Sequence, residues 1–249
     1  MAILAFCVAI LGTAVFYMRL TRATELDQRM CPVSGPVGQF VLLVDKTDPL
    51  NFTQKQAFQA FLEQLITQRI PAGYLLSVFV LDNDYTATAR PVFEECNPGD
   101  GTGKSEMNAN LSHLKKRFEQ GFREPMLRLA DELEAKKSSR FSPIFEMLEM
   151  TAINGFRKQN VTGPRRLIIV SDMLHNTPEY SMYRGNFDFD RFHDSDYGRK
   201  ATADLTGVEV EIEYLLNTPK LQTRRNLKFW EDYFAAGGAH IVAVRPLEG

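Results

Sequence analysis

The apolar and polar positions of this chain follow two alternating patterns. Short uninterrupted apolar runs are typical of strands buried on both faces of a sheet, and apolar positions three and four residues apart indicate helices. The sequence predicts buried strands at 40–44 (FVLLV), 74–81 (YLLSVFVL), 166–171 (RLIIVS), 208–216 and 240–244. It predicts helices at 54–69, with Thr53 as the cap, at 111–135, with breaks near Gly121 and Pro125, and at 143–156 and 223–236.

This order of elements predicts the fold class. Apolar strands that alternate with helices form a doubly wound α/β structure, in which a mostly parallel sheet has helices on both faces. A further strand at 85–93 is expected at the edge of the sheet, antiparallel to its neighbour. Residues 37–249 show no internal repeat and are expected to form one domain. Ligands of such sheets bind at the carboxyl ends of the strands.

The start of the chain departs from this pattern. Residues 2–18 (AILAFCVAILGTAVFYM) carry no charged side chain, and Arg19 and Arg22 follow them. A membrane-spanning helix needs roughly 20 apolar residues, with about 17 as the lower limit, whereas the apolar region of a cleaved signal has about 7–15 residues and follows basic ones. We therefore predict a single transmembrane helix at 1–20, followed by a juxtamembrane linker at 21–36.

Two observations bear on which side of the membrane the domain lies. Three arginines follow the apolar run, at positions 19, 22 and 29. Positive charges favour the cytoplasmic side, so we expect a cytoplasmic domain in which Cys31 and Cys96 are free thiols. The alternative is an oxidising compartment, in which these cysteines could pair and the N-x-T tripeptides at 51–53 and 160–162 could be glycosylated.

Composition narrows the function classes. The chain has 249 residues, of which 44% are hydrophobic and 24% charged, as in ordinary globular proteins. Its 29 Lys and Arg against 31 Asp and Glu leave a net charge of -2, which argues against a nucleic-acid partner because phosphate binding needs a basic surface. Three cysteines without a C-x-x-C pair and four scattered histidines argue against a zinc site and a disulfide scaffold.

Acidic and hydroxyl side chains follow two of the predicted strands. Asp45 and Thr47 come directly after the first strand, and Asp172 comes directly after the strand at 166–171. Ser142 precedes the third predicted helix. Carboxylate and hydroxyl oxygens are hard ligands, and Mg²⁺ keeps several waters and takes only one or two carboxylates. These four side chains therefore predict a magnesium site, with helix capping and turn formation as the alternative roles of the carboxylates.

The order of these residues resembles the von Willebrand factor type A domain. The metal-ion-dependent adhesion site of that family runs Asp-x-Ser-x-Ser, then Thr, then Asp, and it is matched in order by Asp45, Thr47, Ser142 and Asp172. The third ligand of the family falls on Pro49, which has no ligand atom, so the site is incomplete. Together with the anchor, the resemblance implies a non-catalytic assembly subunit of a membrane-associated complex. An acidic residue of its protein partner would complete the coordination of Mg²⁺.

Asp45 also allows an enzymatic interpretation. Hydrolases of haloacid dehalogenase type place a nucleophilic Asp after the first strand, so the alternative function is a metal-dependent phosphohydrolase with Asp45 as nucleophile. However, the sequence continues with Asp48 and Pro49 and lacks the later paired-acid motif of that class. The loop at 99–105 does not match the phosphate-binding spacing G-x-x-x-x-G-K-[ST], and no G-x-S-x-G nucleophile elbow is present.

A long segment at 176–200 is too polar for a core and too aromatic for a plain linker. Aromatic residues stand among Asp and Arg, at Tyr180, Tyr183, Phe187, Phe189, Phe192 and Tyr197. Tyr, Phe and Arg are favoured at interfaces, so we expect a partner-docking loop that forms the rim of the crevice. The alternative is a lid that packs on its own sheet. His175 is expected on a surface loop beside the crevice.

Overall fold

The computed structural model describes residues 26–82, 90–102, 111–132, 138–159 and 161–247. Within these ranges the strands are β1 (Gln39–Asp45), β2 (Leu75–Leu81), β3 (Phe93–Cys96), β4 (Arg165–Ser171), β5 (Val208–Leu215) and β6 (His240–Leu247). The α-helices are α1 (Phe52–Gln64), α2 (Leu111–Phe118), α3 (Glu124–Glu132), α4 (Ile144–Met150), α5 (Phe189–His193), α6 (Asp196–Lys200) and α7 (Arg224–Ala236). Wider π-helical turns follow α1, α2 and α4, at Leu65–Arg69, Glu119–Arg123 and Thr151–Arg157.

The strands form one sheet in the order β3-β2-β1-β4-β5-β6. β3 is antiparallel to β2, and the other neighbouring pairs are parallel. The described part of the chain is therefore a mixed α/β structure with a mostly parallel sheet, as the apolar pattern predicts. Because β2 and β4 lie on opposite sides of β1, the order of strands reverses between β1 and β4. Ligands of doubly wound sheets bind at the carboxyl ends of the strands at such a reversal.

Helices cover both faces of the sheet because successive side chains of a strand point to opposite faces. Val41 and Leu43 of β1 lie in one apolar cluster, which also contains side chains of α4 and α7: Phe145, Leu148, Phe229, Trp230 and Tyr233. Leu42 and Val44 lie in the other cluster, with side chains of α1 and α3: Phe58, Phe61, Leu62, Met126 and Ala130. Each buried strand therefore contributes to two cores, which explains its uninterrupted apolar run.

Two details of the predicted elements are wrong. The antiparallel edge strand β3 begins at Phe93, the last residue of the predicted range of 85–93, part of which lies outside the described residues. Pro91 cannot donate a hydrogen bond to a neighbouring strand, so the ladder is favoured only beyond it. The cap of α1 is Asn51 and not Thr53, because Asn51 and Gln54 form a reciprocal capping box with bonds of 2.9 and 3.0 Å.

The segment before β1 is fixed to the edge of the sheet. Cys31 forms a disulfide with Cys96 of β3, so the expectation that both are free thiols is wrong. Arg29 accepts a backbone hydrogen bond from Cys96 at 2.9 Å, and its guanidinium pairs with Glu94 at 2.8 Å. The two cysteines are 65 positions apart, and only the folded sheet edge brings them together.

The predicted membrane anchor at 2–18 lies outside the described residues. In the part of the chain that the structure describes, no helix is both long and apolar enough to cross a membrane. The transmembrane helix at 1–20 therefore stays a prediction.

Candidate functional site

Two buried carboxylates lie at the carboxyl ends of the central strands. Asp45 is the last residue of β1 and Asp172 directly follows β4, and these residues are 7% and 4% exposed. Since β1 and β4 are parallel neighbours, both side chains lie at the same edge of the sheet. This edge is also where the strand order reverses, which is the position at which the sequence predicts a ligand crevice.

The Asp45 carboxylate accepts hydrogen bonds from three hydroxyl groups. Thr47 donates twice to Oδ1, from its backbone N–H at 2.9 Å and from its hydroxyl at 2.6 Å. The Ser171 hydroxyl donates to Oδ2 at 2.7 Å, and the Ser142 hydroxyl donates to the same atom at 3.4 Å. The structure therefore brings the predicted residues Thr47 and Ser142 to Asp45 and adds Ser171 to the site.

An Asp-x-Thr turn is not by itself a site in this chain. Asp100 and Thr102 form the same turn at the surface, with two hydrogen bonds of 2.8 Å, and these bonds lower the pKa of Asp100. At Asp45 the turn is buried. Burial raises the pKa of Asp45 above its ordinary value, although hydrogen bonds from Thr47 and Ser171 oppose the rise. Asp45 therefore differs from Asp100 in its position at a buried strand end and not in the turn that it forms.

Asp172 has a carboxylate oxygen without a partner. Its Oδ1 accepts a hydrogen bond from the Leu174 backbone N–H at 2.9 Å, whereas Oδ2 is buried without a hydrogen-bond partner among the described residues. Burial, and then the neighbouring Asp45 carboxylate, raise the pKa of Asp172 well above its ordinary value, although hydrogen bonds from the Leu174 backbone and the Tyr183 side chain oppose the rise. A buried carboxylate oxygen without a partner costs free energy, so this position favours a proton or a cation.

Backbone hydrogen bonds hold the surrounding loops against the two strand ends. Ser139 N–H donates to the Thr47 carbonyl at 2.6 Å, and Ser142 and Asn176 exchange two backbone bonds of 2.9 Å each. The Ser181 hydroxyl donates to Asn176 Oδ1 at 2.8 Å. The turn after β1, the loop before α4 and the segment after β4 therefore form one connected wall around the crevice.

The donor set fits a hard divalent cation such as Mg²⁺. Among the described residues, no group of three or more His, Cys, Asp or Glu side chains could hold a metal ion, so hydroxyl oxygens would supply ligands beyond the two carboxylates. Thr47, Ser142 and Ser171 offer such oxygens, and Mg²⁺ takes one or two carboxylates and several waters. The partnerless Oδ2 of Asp172 is the atom that a cation would neutralise. Pro49, in the turn after β1, is exposed and has no side-chain oxygen.

Ser171 is the site residue that the sequence did not predict. It ends the apolar run RLIIVS and is included there in the strand. The register of the sheet pairs Val44 with Val170, so Asp45 and Ser171 are the next residues on two parallel neighbours. Its hydroxyl and the adjacent Asp172 are the local signals of a polar strand end. The register itself depends on the assembled sheet.

His175 is buried and does not lie on a surface loop, contrary to expectation. Its Nε2 lies 3.1 Å from the Tyr197 hydroxyl and 3.2 Å from the Thr177 hydroxyl, and its Nδ1 accepts from Phe145 N–H at 3.4 Å. The Tyr197 hydroxyl donates to Glu146 Oε1 at 2.6 Å. Burial lowers the pKa of His175 to about 3, so the imidazole is neutral at neutral pH. The neutral, buried His175 side chain therefore packs the segment after β4 against α4.

Most aromatic side chains of the segment at 176–200 pack on the domain itself. The ring centroids of Phe192, Tyr180 and Tyr197 lie 4.6, 6.0 and 6.3 Å from that of Phe145 in α4. For these rings the structure confirms the alternative of a lid that covers its own sheet. Tyr183 differs because it is 45% exposed. Docking of a partner on this segment stays a prediction.

Comparisons with known proteins found distant likenesses of fold among solved structures. No protein-family model matches the sequence, and no curated protein matches it. Among solved structures, the chain is similar to the crystal structure of the SpRpn10 VWA domain, with a TM-score of 0.41 and 7% sequence identity. The match covers 84% of this chain and 89% of that chain. A likeness this distant carries no functional argument, so function has to be inferred from the site.

Proposed function

We propose that this chain is a membrane-anchored, non-catalytic subunit that binds protein partners through a von Willebrand type A-like domain in a magnesium-dependent manner. One observation carries the proposal: Oδ2 of Asp172, which makes no hydrogen bond of normal geometry to the described residues, is buried beside a second carboxylate, Asp45, at the reversal of the strand order. Burial and mutual repulsion disfavour two ionised carboxylates there, and a divalent cation relieves both effects.

Five side chains of the crevice would hold the cation: Asp45, Thr47, Ser142, Ser171 and Asp172. When bound, Mg²⁺ supplies positive charge and a coordination position for a carboxylate of the partner, as the family resemblance implies. The chain's own contribution is to keep the oxygens together. Ser171 and Thr47 orient the Asp45 carboxylate, and the paired backbones of Ser142 and Asn176 hold the loop before α4 in place.

The surroundings of Asp45 argue against the alternative of a phosphohydrolase. A nucleophilic carboxylate needs a free oxygen that faces its substrate. Both oxygens of Asp45 accept hydrogen bonds, from Thr47 and Ser171, and the residue is only 7% exposed. We expect no release of p-nitrophenol from p-nitrophenyl phosphate with Mg²⁺ or Mn²⁺. Turnover by the wild type that is lost in Asp45→Asn would contradict the non-catalytic assignment.

We assign the domain to the non-cytoplasmic side of the membrane, with residues 2–18 as the anchor. Disulfides persist in oxidising compartments and are rare in the cytosol, so the disulfide between Cys31 and Cys96 outweighs the arginines that favour a cytoplasmic domain. We expect a membrane-impermeant maleimide to label these cysteines in intact cells only after reduction. Labelling without reduction would contradict the disulfide, labelling after reduction only in permeabilised cells would contradict this side, and release of the chain by alkaline carbonate would contradict the anchor.

Thermal unfolding of the full chain in detergent tests the cation. The melting temperature is measured in EDTA and then with Mg²⁺ or Mn²⁺. A ligand at about 100 times its Kd stabilises by roughly 2.7 kcal/mol, or several degrees for a chain of this size. We expect that shift in the wild type and in Asp100→Asn, which alters the exposed copy of the same turn, and not in Asp45→Asn. Equal melting temperatures with and without metal would retire the magnesium part of the proposal.

Crosslinking in native membranes tests the partner. Full-length wild type is crosslinked in Mg²⁺ and in EDTA beside Asp172→Asn and Asp100→Asn. The proposal predicts a specific adduct with another protein that is lost in EDTA and in Asp172→Asn and kept in Asp100→Asn. An adduct that is unaffected by EDTA and by Asp172→Asn would show that partners bind elsewhere on the chain.

A further inference from the structure

The chain enters the described domain at the edge of the sheet that lies opposite the crevice. Leu26, the first described residue, forms an antiparallel bridge with Pro32, and the disulfide fixes the adjacent Cys31 to Cys96. Cys96 pairs with Leu75, the first residue of β2. Because β1, β2, β4, β5 and β6 are parallel, their amino ends share one edge of the sheet, and the crevice lies at the other edge. β1 and β4 have seven residues each, so the two edges are about 20 Å apart.

Backbone hydrogen bonds join the loops at the amino ends of these strands. Val37 N–H donates to the Gly73 carbonyl at 2.9 Å, and Gln39 N–H donates to the Pro164 carbonyl at 2.8 Å. The loops before β1, β2 and β4 therefore form one continuous surface. We call it the amino-end face, which comprises the loops at 32–38, 71–74 and 161–164.

Two valines of the amino-end face are exposed to solvent. Val33 is 60% exposed and Val37 is 54% exposed. A Cβ atom at position 73 would lie 3.1 Å from a methyl carbon of Val37 and 3.5 Å from the ring of Pro32, the residue before Val33, so the two valines belong to one patch. The other exposed positions of the face carry no charged side chain: Ser34, Pro71, Ala72, Thr162 and Pro164.

The predicted membrane anchor identifies what covers this patch. Only positions 21–25 separate the predicted helix at 1–20 from Leu26, which lies beside Pro32. An extended chain covers at most about 3.6 Å per residue, so Leu26 lies within roughly 22 Å of the end of that helix. We propose that the amino-end face rests on the lipid headgroups, with Val33 and Val37 inserted among them, and that the crevice faces away from the membrane.

This inference rests on the proposed function, because it needs the membrane anchor. The anchor keeps the amino-end face at a high local concentration beside the bilayer, so the valines do not have to supply the affinity that holds the chain there. Because the exposed positions of the face are uncharged, no charged side chain has to leave water when the face meets the lipid. The exposed Lys158, just before the loop at 161–164, can keep its ammonium group at the level of the lipid phosphates. A partner would then reach the crevice from the aqueous side.

A polarity-sensitive probe on the full chain in vesicles measures this contact. In Cys7→Ala the two remaining cysteines form the disulfide, and one new cysteine is added: Val33→Cys, Val37→Cys or Leu216→Cys. Each variant is labelled with a nitrobenzoxadiazole probe without reductant. It is reconstituted into vesicles of phosphatidylcholine and phosphatidylglycerol, with and without lipids that carry a nitroxide near the headgroup. At positions 33 and 37 we expect emission at a shorter wavelength than at position 216, and loss of most of its intensity with the nitroxide lipid.

Leu216→Cys is the matched control, because Leu216 is 40% exposed and directly follows β5, at the carboxyl ends of the strands. Its probe is expected to keep its intensity when the nitroxide lipid is present. Equal melting temperatures of the labelled variants and Cys7→Ala would show that the probes leave the fold intact. Val33→Asp, combined with the probe at position 37, should weaken the quenching there, because a carboxylate costs free energy when it leaves water.

Alkaline carbonate extraction of the same variants separates this inference from the proposed anchor. If the chain stays in the membrane but the nitroxide lipid does not quench the probes at positions 33 and 37, the lipid contact is overturned and the anchor stands. A shift of emission without quenching would show that a protein surface, such as a second copy of the chain, covers the valines, and it would also overturn the lipid contact. Quenching at position 216 as strong as at positions 33 and 37 would overturn the orientation of the crevice. If carbonate releases the chain and no probe is quenched, the inference and the anchor are overturned together.

Discussion

The hydroxyl of Ser171 donates a 2.7 Å hydrogen bond to Asp45 Oδ2 and so joins the carboxyl ends of β4 and β1 across the crevice. Burial raises the pKa of Asp45, and the bond from Ser171 is one of the contacts that oppose the rise. The two strands meet there because β1 and β4 are parallel neighbours. Ser171 therefore stabilises the ionised form of Asp45 that a cation site requires.

Ser171→Ala tests this relationship. A hydrogen bond to a charged group contributes about 1.5–3 kcal/mol, and we expect a loss of that order in the free energy of unfolding at neutral pH. Urea denaturation in EDTA measures it. Ser138→Ala, at an exposed position, serves as the control and should change the stability by less than about 0.5 kcal/mol. Similar stabilities of the two variants would show that the bond contributes little.

Asp172→Asn is expected to stabilise the cation-free protein. The folded-state pKa of Asp172 is raised, so its contribution to stability is fully present below the unfolded value of about 3.9 and is lost as pH rises through the folded pKa. Asparagine keeps the acceptor for Leu174 N–H and removes the charge beside Asp45. We expect a gain of about 1–2 kcal/mol, or roughly 2–6 °C in Tm, at pH 8 in EDTA.

Calorimetry at several pH values provides the check on Asp172→Asn. The difference from the wild type should shrink as pH is lowered toward about 4, where the wild-type carboxyl becomes protonated in both states. A variant that is less stable than the wild type at pH 8 in EDTA would contradict the raised pKa of Asp172.

His175 makes the stability of the fold depend on pH in the opposite direction to Asp172. Its folded-state pKa is lowered to about 3, so its neutral form contributes stability above the unfolded value of about 6.5, and this stability is lost as pH falls below that value. The slope from this one group is about 1.4 kcal/mol per pH unit between the two values. We expect His175→Gln to remove that slope, and His240→Gln, at an exposed position, to keep it. Urea denaturation at several pH values between about 4.5 and 6.5, at or below the unfolded-state pKa of histidine, measures this slope in both variants.

The Glu211 carboxylate on β5 forms ion pairs with three arginines. Its oxygens lie 2.5 Å from a guanidinium nitrogen of Arg69, 2.9 Å from one of Arg166 and 2.6 Å from one of Arg245. Burial raises its pKa, but Arg245 and Arg69 outweigh burial and hold the pKa below its ordinary value. Glu211→Gln leaves Glu213 as the remaining buried partner of Arg69 and Arg245, so we expect a loss of about 1.5–3 kcal/mol at neutral pH, as for a hydrogen bond to a charged group.

Glu209→Gln is the control for Glu211→Gln. The Glu209 side chain is 42% exposed, so its pairing with Arg166 should contribute only about 0–1 kcal/mol. Calorimetry at neutral pH compares the two variants. Equal losses of stability in Glu211→Gln and Glu209→Gln would show that burial does not determine how strongly these ion pairs stabilise the fold.

Cys31→Ser tests the attachment of the first described residues to the sheet edge. Closing a loop between positions 65 apart stabilises by about 4 kcal/mol when the disulfide acts on the entropy of the unfolded chain. We expect a loss of that order relative to the oxidised wild type in urea denaturation. Reductant should lower the stability of the wild type toward that of the variant and leave the variant unchanged. A wild type that is insensitive to reductant would contradict this contribution.

The sequence by itself determined the layers of the fold and the acidic and hydroxyl side chains at the strand ends. The run at 40–44 is apolar throughout, and the run at 166–171 is apolar between Arg166 at its start and Ser171 at its end; such runs are typical of strands that are covered on both faces. Asp45 and Asp172 follow these runs directly, so parallel strands necessarily bring them to one edge. The helices required only the spacing of three and four residues, because that periodicity is a local property of the chain.

Only the tertiary structure decided which groups meet across long stretches of sequence. The register of β1 against β4 sets Ser171 beside Asp45, and the edge strand sets Cys96 beside Cys31. His175 is polar and follows a strand end, as surface residues often do, yet the packing of α4 and the segment after β4 buries it. These outcomes depend on strand register and on contacts between distant residues, whereas composition and periodicity report only on neighbours along the chain.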